Sequence, residues 1–377
     1  MKIVYCIHSL YNSAGMERII TEKANALSEK GYKVFIITAE QQNRPLFYQL
    51  DSQVVHYDLG INYTANNSFL SKLLTYAQKK RKHRKKLSQL LFQIKPDITI
   101  STMGNEFLFL YKIKDKSKKI LEIHFAKNYR MMYKRDFLWK LIDFYRSKQE
   151  EKKAAHYDRF VVLTQEDKTH WKELNNIITI PNFITLPPTK IARKEKNKNL
   201  LIAVGRLAYQ KGFDRLINAC ALIKEQLKGW EIHIYGNGEL KQKLEQQIQE
   251  NGLSKIISIH PATSNINQIY AESKGILSPS RFEGFGLVLI EAMSYGVPPI
   301  AFKYPCGPQD IITNNIDGIL VENNDIAAYS EAILRFINNE SLRTSLSSAA
   351  IEKSKLFSKE YIMNKWVDLF NELQHNN

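Results

Sequence analysis

Short apolar runs alternate with amphipathic stretches along this chain, and the alternation stops once and then restarts. KIVYCI (2–7) reads as a buried strand. ERIITEKANALSEKG (17–31) reads as an amphipathic helix ending at Gly31, and KVFIITA (33–39) as the next strand. A βαβ start of this kind implies a parallel sheet covered by helices. QVVHYD (53–58), DITIST (97–102), KKILEIH (118–124) and RFVVLT (159–164) are further strand candidates. FITLPPTKIARKEKNKN (183–199) then interrupts with paired prolines and a charged run, the composition of an interdomain linker.

Beyond it the pattern resumes. Strands are expected at LLIAVG (200–205), WEIHIYG (230–236), KIISIH (255–260), GILSPS (275–280), PPIAF (298–302) and GILVE (318–322). Helices are expected at 213–226, 238–252, 266–273 and 286–296, with a last amphipathic helix at KEYIMNKWVDLFNELQ (359–374). A chain of 377 residues favours two domains. The expected class is α/β: two Rossmann-like domains, 1–185 and 200–358, facing across a cleft and joined by a linker at 186–199.

No segment approaches the length of a transmembrane helix. The apolar run at the N-terminus is broken by His8, Ser9 and Asn12, and makes a better first strand than a signal peptide. Three widely spaced cysteines, Cys6, Cys220 and Cys306, fit a reducing cytoplasm and suggest no zinc site. Charge is uneven. Residues 1–190 hold 33 Lys+Arg against 18 Asp+Glu, whereas residues 191–377 hold 21 against 20. The first half should therefore meet something anionic. Its most basic stretch, SKLLTYAQKKRKHRKKLSQLL (71–91), carries leucines at roughly helical spacing. It reads as an amphipathic helix suited to an anionic membrane surface or a phosphorylated lipid head group, or as the solvated face of an ordinary helix. Nucleic acid is disfavoured, because no zinc finger, RRM signature or aromatic-interleaved basic strand is present.

RFEGFGLVLIEAM (281–293) is the most informative motif. Its loop follows a strand and opens a helix, where ligands bind in open parallel sheets and unpaired N–H groups favour a negative group. Gly284 and Gly286, flanking Phe285 and followed by Leu287, let the backbone approach a ligand. Glu283 suits sugar hydroxyls and Glu291 a ribose diol; taken singly, Glu283 reads more readily as a helix cap and Glu291 as a solvated acid. In AVGRLAYQKGFDRL (203–216), Gly205, Arg206 and Lys211 follow another strand, and the two cations can grip phosphate oxygens. Gly15, after the first strand, offers a backbone approach from the opposite wall. His124 ends a strand, either as a structural histidine or facing a donor sugar. Asn182 sits at the domain junction, where its amide could brace the cleft. A nucleotide-sugar satisfies this set. No Asp-x-Asp pair is present to hold a metal-bound diphosphate, so no metal and no further cofactor is expected.

Together these motifs resemble family 4 glycosyltransferases, the retaining GT-B group, over nearly the whole chain. HSLYNSAGMER resembles the family's N-terminal donor loop, with Ala14-Gly15 in place of the usual glycine pair. VGRLAYQKGFDRL is similar to its phosphate motif, RFEGFGLVLIEAMSYGVPPIAF to its glutamate-x7-glutamate motif, and CGPQDII (306–312) to a variant of bacterial members that build surface polysaccharides and lipid-linked glycans. SIHPAT (258–263) departs from it, since relatives often carry glycine near Pro261. The resemblance implies a C-terminal domain that binds the donor, a UDP-sugar, and an N-terminal acceptor domain over which helix 359–374 crosses back. It further implies a metal-free transfer with retention. Arg206 and Lys211 would stabilise the leaving diphosphate, Glu283 position the donor sugar, Glu291 hold the ribose, and His124 and Gly15 close the site. The expected location is the inner face of the cytoplasmic membrane, with a lipid-diphosphate-linked or polysaccharide acceptor. Two other readings are a GT-B nucleotide-sugar epimerase and a non-enzymatic protein that binds anionic surfaces or nucleic acid.

Overall fold

A computed structural model describes the backbone of residues 1–63, 69–127, 129–133, 136–188 and 198–375, and their side chains except at 69–74, 137 and 138. The first half runs β1 (Lys2–Ile7), α1 (Gly15–Glu29), β2 (Lys33–Thr38), β3 (Val55–Asp58), α2 (Phe69–Ile94), β4 (Ile98–Ser101), β5 (Lys118–Glu122), α3 (Tyr129–Met132), α4 (Phe137–Ala154), β6 (Arg159–Val162), α5 (Gln165–His170) and β7 (Ile177–Thr179). The second begins β8 (Leu200–Val204), α6 (Phe213–Leu222), β9 (Glu231–Tyr235), α7 (Lys241–Glu250), β10 (Ile257–His260), α8 (Ile266–Glu272), β11 (Gly275–Ser278) and α9 (Leu287–Ser294). It ends β12 (Pro299–Phe302), α10 (Pro308–Ile311), β13 (Ile319–Val321), α11 (Ile326–Asn338), α12 (Glu340–Ser354) and α13 (Lys359–His375). The expected linker at 186–199 falls largely outside the described residues.

Two parallel sheets result, ordered β3-β2-β1-β4-β5-β6-β7 and β10-β9-β8-β11-β12-β13. Their inner strands read as unbroken apolar runs because helices cover both faces; β4, β11 and β12 are buried at every residue. In each sheet the strand order reverses beside the first strand, between β1 and β4 and between β8 and β11. That reversal opens a crevice at the carboxyl ends of the strands. Each strand foreseen from the sequence forms, β1 with the expected bounds and the others trimmed by one or two residues. The three-residue β7, too short to carry a pattern, extends the first sheet.

The last helix belongs to the first sheet. Ile362, Met363, Trp366, Leu369, Phe370 and Leu373 form a stripe at helical spacing that packs with Ile3, Tyr5, Leu27 and Phe183. Each such buried side chain stabilises this docking by about 1.5–3 kcal/mol. The chain thus passes twice between the sheets. The passages meet at Ile184, whose N–H donates to Phe357 O (2.9 Å) and whose carbonyl accepts from Lys359 N (2.9 Å).

The basic segment lies in α2. His83, Leu87, Leu91 and Ile94 turn inward, and the Nζ groups of Lys79 and Lys86 donate to the carbonyls of Asn62 and Leu59, each at 2.6 Å. The described part of its apolar stripe is therefore protein core rather than a free face. Arg81, Lys82, Arg84 and Lys85 remain on the outside. The side chains of residues 71–74 lie outside the described set. Among the described residues, no helix is long and apolar enough to cross a membrane.

Candidate active site

Strand ends from both sheets converge on one cleft of about 550 Å³, within the usual range for a small-molecule site. The first sheet supplies Gly15 at the start of α1, Arg18 one turn on, His124 after β5 and Asn182 after β7. The second supplies Gly205, Arg206 and Lys211 after β8, then Glu283, Gly284, Phe285, Gly286 and Leu287 after β11, and Glu291 within α9. All twelve residues singled out from the sequence line this cleft.

The walls touch. A Cβ added at Gly284 would lie 2.2 Å from the His124 carbonyl oxygen, so only glycine permits this approach between the halves. A Cβ at Gly15 would make ordinary contact, 3.6 Å, with Leu287. Gly286 (φ +101°) begins α9 in the left-handed region, and no side chain caps that helix. Its first N–H groups therefore face the cleft, where Leu287 and Val288 lie.

Each glutamate is held. Lys211 Nζ lies 2.7 Å from Glu283 Oε1, which also accepts from Ser280 Oγ at 2.7 Å. Gln210 Nε2 donates to Glu283 Oε2 at 3.2 Å. Glu291 is paired with Arg18 through Oε1 and accepts from Tyr270 OH through Oε2 at 3.2 Å. Arg206 is exposed at the rim and has no ion-pair or hydrogen-bond partner for its guanidinium among the described residues.

His124 connects the cleft to the core behind it. Its Nε2 lies 2.9 Å from Glu122 Oε1, and neither ring nitrogen makes an aligned hydrogen bond. Glu122 also pairs with the buried Lys23, whose ammonium sits 3.8 Å from the Trp366 ring centroid of α13. Burial alone would raise the Glu122 carboxyl; Lys23 and His124 overcome it and hold it at about 2. Asn182 Oδ1 is buried without a partner, an orphan acceptor in the cleft wall.

Residues 189–353 match the family described as Glycosyl transferases group 1. An uncharacterized glycosyltransferase of Haemophilus influenzae is 30% identical over 373 residues, covering 97% of this chain and 98% of its own length. The chain belongs to the group 1 glycosyl transferases. A Campylobacter jejuni alpha-1,4-N-acetyl-D-galactosaminyltransferase, named for GalNAc-alpha-(1->4)-GalNAc-alpha-(1->3)-diNAcBac-PP-undecaprenol, is 26% identical over 382 residues, covering 100% of this chain and 99% of its own. The crystal structure of a variant S. aureus TarM with fondaparinux, alpha-GlcNAc-glycerol and UDP superposes with a TM-score of 0.78 at 19% identity, covering 98% and 99% of the two chains. The fold is GT-B.

Several residues around this glycosyltransferase's cleft escaped the sequence reading. Arg18 lies within the quoted HSLYNSAGMER loop, one turn after Gly15, and that spacing was its only signal. Gln210, Tyr270, Lys23 and Glu122 carry no signal apart from the fold. Among the described residues, one set could offer a metal three ligands: Asp167, His170 and Cys306, with atoms within 4.8 Å of one another. None of them lines the cleft. They belong to a second seam between the halves, where Cys306 N donates to Glu166 Oε2 (2.9 Å) and Asp310 accepts from Gln165 N (2.6 Å). Burial pushes the Cys306 thiol far up, so it stays protonated.

Proposed function

We propose that this glycosyltransferase transfers a sugar from a nucleotide-sugar, specifically a UDP-sugar, with retention and without a metal. The acceptor is a lipid-linked or polysaccharide glycan of bacterial surface biosynthesis, met at the inner face of the membrane. One observation carries the reading: cations, an open helix N-terminus and two oriented carboxylates converge on a single cleft between the sheets. A diphosphate needs the first two, and sugar and ribose hydroxyls need the third. The TarM neighbour, bound to UDP, supports the base. The Campylobacter relative, named for a polyprenyl-diphosphate glycan, supports the acceptor. The basic outer face of α2 supports an anionic surface nearby.

On this reading Arg206 and the first N–H groups of α9 take the diphosphate oxygens. Lys211, already fixed by Glu283, adds charge as the bond from the anomeric carbon to the diphosphate oxygen breaks. The acceptor hydroxyl bonds to that carbon on the same face, and its proton passes to the departing phosphate oxygen. Glu283, held by Ser280 and Gln210, positions the donor sugar, and Asn182 Oδ1 gains the donor hydrogen it lacks. Glu291 accepts the ribose hydroxyls. His124 closes the site from the first sheet, oriented by Glu122.

A thermal-shift panel of UDP-, GDP-, ADP- and dTDP-sugars, with and without EDTA, tests this. A ligand at about 100 times its Kd stabilises by about 2.7 kcal/mol. Stabilisation by UDP-sugars, unchanged by EDTA, is expected; stabilisation by none, or only with added metal, overturns the donor reading.

A further inference from the structure

Helix α4 is packed inside out. Its side against the protein carries Asp143, Ser147 and Ala154, all buried. Its solvent side carries Trp139, Leu141, Ile142, Phe144 and Tyr145, five large apolar residues within seven positions, with Tyr145 66% and Phe144 52% exposed. A helix of a soluble protein buries the opposite face, and contiguous exposed apolar patches on monomers mark interaction sites. Among the described residues, the other large apolar side chains left exposed are scattered along the chain.

The surroundings of this face are cationic. Lys140, Arg146 and Lys148 are interleaved with the apolar residues and exposed. The acids further along α4, Glu150 and Glu151, are held by Arg130 and Lys127, each at 2.9 Å. Two residues of the basic helix α2 come near it, Tyr76 near Arg146 and Lys80 near Lys153. Aromatic and aliphatic side chains among Lys and Arg suit a lipid interface, where the rings sit at head-group level and the cations meet anionic phosphates. The patch also adjoins the cleft. The Arg130–Glu150 pair ties α3 to α4, and Tyr129 and Tyr133, at either end of α3, line the cleft. Tyr133 packs edge-on against Phe282, with ring centroids 5.0 Å apart.

We propose that α4 inserts Trp139, Leu141, Ile142, Phe144 and Tyr145 into the head-group region of an anionic bilayer, with the basic face of α2 resting on the lipid phosphates and the cleft mouth held at the membrane. The apolar anchor is thus α4, and α2 supplies only charge. The inference deepens the membrane-side reading given above, but vesicle binding needs no sugar donor, so either can fail without the other.

Trp139 supplies its own probe, because Trp171, Trp230 and Trp366 are buried. The protein is mixed with phosphatidylcholine–phosphatidylglycerol vesicles, with and without acyl-brominated lipid. The expected result is a blue shift of tryptophan emission and quenching by the brominated lipid, both absent in Trp139→Phe. Ile142→Glu with Phe144→Glu should weaken vesicle binding at least about tenfold while leaving Tm and nucleotide-sugar binding unchanged, since both side chains are exposed. Wild-type emission that ignores anionic vesicles overturns the proposal, and that measurement needs no variant. So does unchanged vesicle binding by a folded double variant. A wild-type dimer that the double variant converts to monomer also overturns it, because the face then belongs to a second copy of the chain.

Discussion

Arg18, one turn into the first helix, grips the carboxylate of Glu291 across the cleft, while Tyr270 holds the other oxygen of that carboxylate at 3.2 Å. The expected ribose acceptor is therefore fixed in place by the opposite half of the molecule before any donor arrives. Burial works against the Arg18 charge, but Glu291 outweighs it and raises the guanidinium above its ordinary value. Glu291→Gln should weaken nucleotide-sugar binding by about tenfold, the worth of one hydrogen bond to a charged group. Arg18→Met should weaken it less. The double variant should lose less than the sum, with a coupling of about 1 kcal/mol by isothermal titration. Strict additivity would mean that the pair does not orient the site.

Lys211 and Glu283 should fail together for a different reason. Glu283 accepts from Lys211, Ser280 and Gln210 through both oxygens. Glu283→Gln replaces one acceptor with an NH2 that faces a donor, so the cluster must rearrange. Turnover is expected to fall by about 100- to 1000-fold in Glu283→Gln and in Lys211→Ala, with circular dichroism unchanged. Near-normal turnover in either would remove these residues from the chemistry.

The sequence made the cleft's second wall legible because its residues are local: Arg206 and Lys211 follow the end of β8, and Glu283 and Glu291 lie in the loop and helix that follow β11. Arg18, Tyr270 and the Lys23–Glu122 pair were not legible. Their partners lie tens to hundreds of residues away, and only the relative placement of the sheets brings them together. Helix α4 went unread for another reason. Periodicity reads an apolar face as an inward face, and Trp139 to Tyr145 invert that rule. In α2 the same rule holds for Leu87 and Leu91, which are core.

Gly284 limits how closely the halves approach. A methyl group there would overlap the His124 carbonyl, 2.2 Å from its position, and main chain cannot swing aside as a flexible side chain would. Gly284→Ala should therefore push the walls apart rather than unfold either. A displacement of an ångström or so at the reacting atoms costs on the order of 100-fold in rate. The expected outcome is a larger radius of gyration by small-angle scattering and turnover lowered by about that factor. A variant with both values unchanged would show that the two loops do not meet in solution.

Acid should loosen the first half through His83. The ring is buried in α2, contacts Tyr63 OH at 3.1 Å and meets Phe109 edge-on. Burial pushes its pKa down from 6.5 to about 4. With the folded value below the unfolded one, the unfolded chain takes up the proton first. The stability contributed by neutral His83 is thus complete above about pH 6.5 and drains away as pH falls towards 4. Between about pH 7 and pH 5 this amounts to about 2 kcal/mol. Urea titrations at those two values should show that loss in the wild-type protein and a much smaller one in His83→Gln, whose amide keeps a partner for Tyr63 but does not titrate. Equal losses in the two proteins would assign the acid sensitivity to other groups.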